Sequence, residues 1–375
     1  MNKNYRNEYL FSETYLQNIT QLPIIEENLK NSFRTIKGWR DEADNTLPES
    51  WIITYVENIF DTLKFGHKRN SEKEPNILML FPDIDKINAM SLCYIIPPEE
   101  DINCTLKGKF WAEKIIRNLR KNNFQWGILT DGYYWRIYHV TEPNPYETYV
   151  EINLETILNS QDYAAFQIFY FFFQPDNFVR TENGECKFDI YKDKSEKTTK
   201  YIEENLRAAI EREGEGKGVL QTLCSGYLNT LNQKNYSEKD NKDIYDGAII
   251  YLFRLLFLFY STSRDLLKRE SIEKFQNIIQ DSFRFCNEGG LKNDSYNLWN
   301  RLQGLYVEIN EKYNGGLFNY YESDFTKFIE EIKITDPFLS EVIFGLAYYQ
   351  KSKGSFAPIE YRDLSVRHLG SLYEG

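Results

Sequence analysis

The chain has 375 residues, 42% hydrophobic and 27% charged, ordinary proportions for a globular protein and a length that calls for more than one core. A formal net charge of -11 excludes a polycation that coats nucleic acid, so any DNA contact must come from local basic patches. Five scattered cysteines with no CxxC pair, beside three histidines, argue against a structural zinc site and a disulfide framework and for reduced thiols in a cytosol.

In chain order, the N-terminus MNKNYRNEYLFSETYL has no apolar run and does not read as a secretory signal. Residues 24–40 place Ile25, Leu29, Phe33 and Ile36 at helical spacing, and residues 49–65 do the same with Ile53, Val56, Phe60 and Leu63, ending at Gly66. A charged loop, HKRNSEKEPN, follows, then the strand-like runs ILMLF and AMSLCYII, the second stopped by Pro97–Pro98. Residues 108–121 read as a helix with Phe110, Ile115, Ile116 and Leu119 on one side. The stretch FQWGILTDGYYWRIYHV then sets two β-rich runs about Asp131–Gly132, a dipeptide suited to a tight hairpin turn, and ETYVEI adds a further strand.

Past Gln174–Pro175 the pattern becomes helical, over about 192–212, 217–232, 241–262, 294–312 and 336–351. The expected organisation is an α/β domain over 1–178 and an all-helical one over 179–375. The apolar segments Tyr163–Phe173 and Ala248–Tyr260 fall short of the roughly 20 residues of a spanning helix, and the second contains Arg254. Both read as buried core helices, and no membrane partner is expected. An aromatic share of 16% fits large aromatic cores more economically than DNA-stacking surfaces.

Three stretches, in this order, carry a resemblance: Trp126–Tyr138 (WGILTDGYYWRIY), Tyr313–Phe318 (YNGGLF) and Tyr361–Gly375 (YRDLSVRHLGSLYEG). The first is similar to the WGILTNGxxWRLY hairpin of type IIG restriction–modification enzymes, in which endonuclease and adenine methyltransferase share one polypeptide. The third is similar to the lead-in to that family's methyltransferase domain, and AIIYLFRLLFLFYSTSRDLL (248–267) resembles its connecting helix. The resemblance implies a prokaryotic cytoplasmic protein of phage defence. It implies double-stranded DNA as a partner, together with methyltransferase and target-recognition domains of the same polypeptide. Neither Asn-Pro-Pro-Tyr nor Asp-Pro-Pro-Tyr occurs, and the glycines of Gly214–Gly218 follow a helix rather than a strand. S-adenosylmethionine would therefore belong to a methyltransferase domain that these residues do not contain, and the chain reads as the portion ahead of it.

The family's N-terminal domain resembles PD-(D/E)xK nucleases, where two carboxylates hold Mg²⁺ and a lysine supports the developing charge. Asp83, after the ILMLF strand, is the candidate first ligand, and Glu57 on the preceding helix the accessory acid. The next strand should end in Glu-x-Lys, but LCYIIPP stands there, followed by Glu99-Glu100-Asp101 with Lys107 and Lys109 further on. Either Glu99 or Glu100 curls back as the second metal ligand with Lys107 or Lys109 as the lysine, or the domain has lost cleavage and binds or scaffolds DNA. Turn chemistry alone would also account for Asp83.

Lys107, Lys109, Lys114, Arg117, Arg120 and Lys121 against a single Glu113, with Arg136 on the hairpin nearby, form a candidate phosphate-contacting stripe or a solvated helix face. In the helical half, Arg254 on an all-round apolar helix requires a partner, and a carboxylate from another helix is expected. The competing readings are a nuclease-like DNA-binding domain with a connector that positions a methyltransferase, an active Mg²⁺-dependent endonuclease domain, and the front of a related defence methyltransferase that never cuts DNA.

Overall fold

The computed structural model describes residues 4–20, 26–43, 48–72, 74–83, 87–97, 100–106, 108–211, 217–232, 235–289, 294–313, 331–352 and 354–374. The chain forms two compact units, Met1–Thr198 and Thr199–Gly375.

The first unit runs β1 (Tyr5–Glu8), α1 (Glu13–Thr20), α2 (Glu26–Ala43), α3 (Pro48–Thr62), β2 (Gly66–Ser71), β3 (Glu74–Phe81), β4 (Ser91–Ile95), α4 (Trp111–Lys121), β5 (Trp126–Thr130), β6 (Tyr134–His139), β7 (Tyr149–Asn153), α5 (Leu154–Ser160) and α6 (Tyr163–Phe172). Its seven strands lie in the order β1-β7-β6-β5-β4-β3-β2, all neighbours antiparallel except β4 and β5. Parallel neighbours need a crossover, and α4 supplies it. The charged segment from His67 to Ser71, read from sequence as loop, is the edge strand β2. Its exposed charges suit an edge that must not recruit another strand.

Strand alternation gives the sheet two apolar faces. Leu78, Leu80, Cys93, Ile95, Ile128, Trp135 and Ile137 face the core shared with α2, α3 and α6. Ile77, Leu92, Tyr94, Leu129 and Tyr138 face α4, which buries Trp111, Ala112, Ile115, Ile116 and Leu119. The first core also takes in Phe178, Cys186 and Phe188, so it includes the first turn of α7 (Lys187–Glu211).

In the second unit α8 (Val219–Leu231), α9 (Glu238–Ser263), α10 (Arg269–Glu288), α11 (Asn297–Tyr313) and α12 (Asp336–Ala347) enclose one core, followed by β8 (Tyr348–Ser352), β9 (Ser355–Pro358) and α13 (Val366–Glu374). The β8–β9 hairpin corrects the all-helical expectation. Gly354, at φ +78, reverses the chain, and Tyr348–Ser352 pairs back on Ser355–Pro358 where the apolar periodicity alone suggested more helix. Helix α10 also lies outside the segments singled out by periodicity.

Helix α9 is long and apolar enough to cross a membrane, and 61% of its most apolar window is buried inside the protein. Arg254 on it is fully buried, its guanidinium 5.6 Å from the centre of the Tyr306 ring on α11. Asp265, beyond the end of α9, pairs with Arg362 at 2.9 Å, while Arg264 donates to the Arg362 carbonyl at 2.6 Å. The two Arg-Asp-Leu triplets of the sequence therefore meet as a clasp at the root of α13.

Candidate nuclease site and nucleic-acid interface

The candidate acids are placed by three antiparallel strands and two helices, α3-β2-β3-β4-α4. Asp83 follows β3 at the end where Gly66 opens β2 and Ser91 opens β4. Its carbonyl oxygen lies so near Gly66 that a Cβ there would stand 1.7 Å from it. Glu100 follows the opposite end of β4. Leu80 pairs with Ser91 and Ile77 with Tyr94, so the length of β4 separates the two acids. At about 3.3 Å per residue, that strand alone accounts for about 13 Å. A magnesium ion requires each carboxylate oxygen within roughly 2.1 Å.

Glu57 stands elsewhere again. Both its oxygens accept from Arg69 of β2, each at 2.8 Å, at the level where Arg69 pairs with Leu78. The structure thus does not bring Glu57, Asp83 and Glu100 together; Glu99 lies outside the described residues, as does Lys107. Among the described residues no cluster of three or more His, Cys, Asp or Glu side chains could hold a metal. The described side chains do not by themselves fit the Mg²⁺ site that the resemblance implies.

The described part of the loop after β4 packs on the sheet face under α4. Ile102 enters that core, and its carbonyl accepts from Arg136 at 3.4 Å. Arg136 on β6 is 3% exposed, and it pairs with Glu151 at 2.6 Å, bonds Asn103 and lies 4.4 Å over the Tyr149 ring. Its guanidinium is held still more firmly charged than usual: burial opposes the charge, but the neighbouring Tyr138, Glu151 and Tyr149 outweigh that cost. Arg136, expected among the DNA-contacting residues, is buried, with donors engaged inside the fold.

The remaining basic residues are distributed along α4. Arg117, Arg120 and Lys121 are exposed, Arg117 beside Glu113 and Arg120 donating to the Val140 carbonyl at 3.3 Å. Lys114 is half-buried with its ammonium 4.0 Å from the centre of the Trp111 ring. Lys109, in the loop ahead of the helix, is exposed and pairs with Glu100. The helix thus keeps an outward row of cations while its other side packs on the sheet.

Among the described residues, Asp131 is an acid set directly at the C-terminal end of a parallel strand. The amide of Ile96 donates to the Thr130 carbonyl at 2.8 Å, joining β4's end to the turn. Asp131 Oδ1 accepts from the amides of Tyr133 at 2.9 Å and Tyr134 at 2.7 Å, and burial pushes its carboxyl above the ordinary aspartate range against those bonds. The Asp-Gly dipeptide signalled the turn; that it stands at a strand end beside β4 could come only from the pairing.

At the far end of the hairpin, Trp126 Nε1 donates to Asp189 at 2.7 Å and its ring lies 4.3 Å from that of His139. Glu142 is 3.0 Å from His139 Nδ1 and pairs with Lys192 at 2.8 Å. These contacts fix the first turns of α7 to the sheet of the first unit.

Comparison with known proteins returned no matching family model, no matching curated relative and no matching solved structure.

Proposed function

We propose that this chain is the front part of a type IIG-like restriction–modification enzyme, with a nuclease-like unit that docks on DNA without cutting it and a helical unit that positions an adenine DNA methyltransferase. The observation that carries the non-cutting half is the separation of Asp83 and Glu100 at opposite ends of the β3–β4 pair. A two-carboxylate metal site needs acids on adjoining strand ends with a third from an early helix. The frame for that exists in α3-β2-β3-β4-α4-β5, whereas the acids do not share one end of it. This arrangement supports a relative of PD-(D/E)xK nucleases that retains the scaffold and lacks the centre.

DNA docking is supported by α4, whose outward cations can meet backbone phosphates in any sequence. Such contact releases counterions and weakens with salt. Fluorescence anisotropy on a labelled duplex of about 30 base pairs tests it, with Arg120→Glu/Lys121→Glu compared against the unaltered chain across a salt series. The reading expects binding that falls with salt and a double variant that binds at least about tenfold more weakly. Binding unchanged in the double variant sinks the α4 assignment. Mg²⁺- or Mn²⁺-dependent nicking of a supercoiled plasmid by the purified chain, abolished by Asp83→Ala, sinks the non-cutting half and favours the endonuclease reading.

A further inference from the structure

The second unit contains a cleft of about 610 Å³ among the end of α7, the start of α8, α12 and the β8–β9 hairpin. Small-molecule sites span roughly 300–1,000 Å³, so the space suffices for one nucleotide-sized ligand. Part of its lining is aromatic. Tyr348, Tyr349 and Phe356 come from the hairpin and Phe344 from α12, with Phe344 tilted against Tyr348 at 5.5 Å and edge-on to Phe356 at 4.9 Å. Tyr201 braces Tyr349 edge-on at 5.8 Å. The hairpin thus presents a set of packed rings, and Tyr348 and Tyr349 are half-buried.

Polar groups share the same lining. Asn205 donates its amide N–H to the Tyr201 carbonyl at 2.7 Å, which leaves its side-chain oxygen as an acceptor. Lys217 donates to Ser225 at 2.9 Å, one bond of the three an ammonium can make, and neither it nor Glu341 has a salt-bridge partner among the described residues. Gln350 adds an amide. A lipid would want an apolar lining throughout. Ring faces combined with amides and an unneutralised lysine suit a flat heterocycle with donors and acceptors on its edge and an anionic tail.

We infer that this cleft is a nucleotide site, with the base stacked on the β8–β9 aromatics, its edge met by Asn205 and Gln350, and the phosphate held by Lys217. The inference stands apart from the DNA-docking reading, since it uses none of the α4 residues.

The test is isothermal titration calorimetry of the full chain with AMP, GMP, CMP and UMP in turn. The expected result is a 1:1 complex with at least one of them at a Kd below about 1 mM. That affinity should fall about tenfold or more in Tyr349→Ala and in Lys217→Ala. Tyr349→Phe should keep it, which separates loss of the ring face from loss of the fold, and Arg120→Glu/Lys121→Glu on α4 should leave it unchanged. No binding by any of the four nucleotides to the folded chain at about 5 mM overturns the inference. So does affinity that survives both cleft substitutions, or affinity lost only with the α4 charges.

Discussion

At the end of the β3–β4 pair where Asp83 leaves the sheet, backbone meets backbone: the Asp83 carbonyl lies against the Cα of Gly66. At the end where Glu100 follows, side-chain charge holds the chain. Arg136 gathers Glu151, Asn103 and the Ile102 carbonyl, and Lys109 takes Glu100. Among the described residues neither end gathers the acids of a metal centre, and the contacts at each end hold the sheet together. A charged residue near a strand end is therefore weak evidence of chemistry until its partners are known, and removing those partners measures what each end contributes.

The largest effect is expected at the Glu100 end. Arg136→Met would leave Glu151 largely buried without its cation, and breaking a buried pair in this way costs about 3–5 kcal/mol. Urea unfolding followed by circular dichroism would measure it. If Arg136 instead served DNA, the variant would keep its stability and lose duplex affinity, and the structural assignment would fail.

At the Asp83 end, Gly66→Ala would set a methyl group 1.7 Å from a backbone oxygen, an overlap that rotamer changes cannot relieve. Forced backbone shifts of this kind cost about 1–3 kcal/mol. The same substitution at Gly38, where a Cβ would meet nothing within 4 Å, is the control and should be neutral or slightly stabilising. Equal losses at the two glycines would remove the argument that Gly66 is needed for close approach.

These two positions also mark how far the sequence could be read. The Asp131–Gly132 turn and its flanking strands were legible because a hairpin is local: dipeptide, alternation and spacing all lie within 17 residues, and the structure forms β5 and β6 there. The helices carrying Val56 and Phe60, or Ile115 and Leu119, were legible for the same reason. The candidate site was not. Gly66 looked like a helix stop, since its close neighbour Asp83 is 17 residues away. Arg136 looked like a surface cation, since Ile102 and Asn103 approach it only after the strands pair. Asp83 and Glu100 looked like neighbours because they flank β4 in sequence, and antiparallel pairing separates them by that strand's length.

The junction between the hairpin and α7 provides a pH test of intermediate size. Burial works against the Glu142 carboxylate, but hydrogen bonds from His139 and Lys192 more than offset it, so the carboxyl titrates below the ordinary glutamate range. A depressed folded-state value means stability that is fully present above the unfolded value and is lost as pH falls through the folded one. The contribution should be on the order of 1–2 kcal/mol. Glu142→Gln should therefore lower stability near neutrality and narrow that gap as the solution becomes acidic. A gap that stays constant down through the carboxylate range would show that Glu142 acts through packing alone.

The smallest effect separates the two readings of the strand ends most cleanly. Asp83 is exposed, and among the described residues Glu100 pairs with exposed Lys109. Replacing both, as Asp83→Asn/Glu100→Gln, removes two negative charges from the surface, and surface substitutions of this kind stay within about 0.5 kcal/mol. If the acids are structural remnants, the double variant unfolds with the unaltered chain and any plasmid nicking in Mn²⁺ stays at its background rate. If they are metal ligands drawn together by a bound duplex, the unaltered chain should nick and the variant should not, with no change in stability to confuse the comparison. Lower repulsion around Asp83 and Glu100 would in addition tighten duplex binding slightly, in the low-salt range only, because screening shortens the reach of surface charge to about 8 Å at physiological ionic strength. A gain that persisted at high salt would point to direct contact between these acids and the DNA, and would move the docking face from α4 to the strand ends.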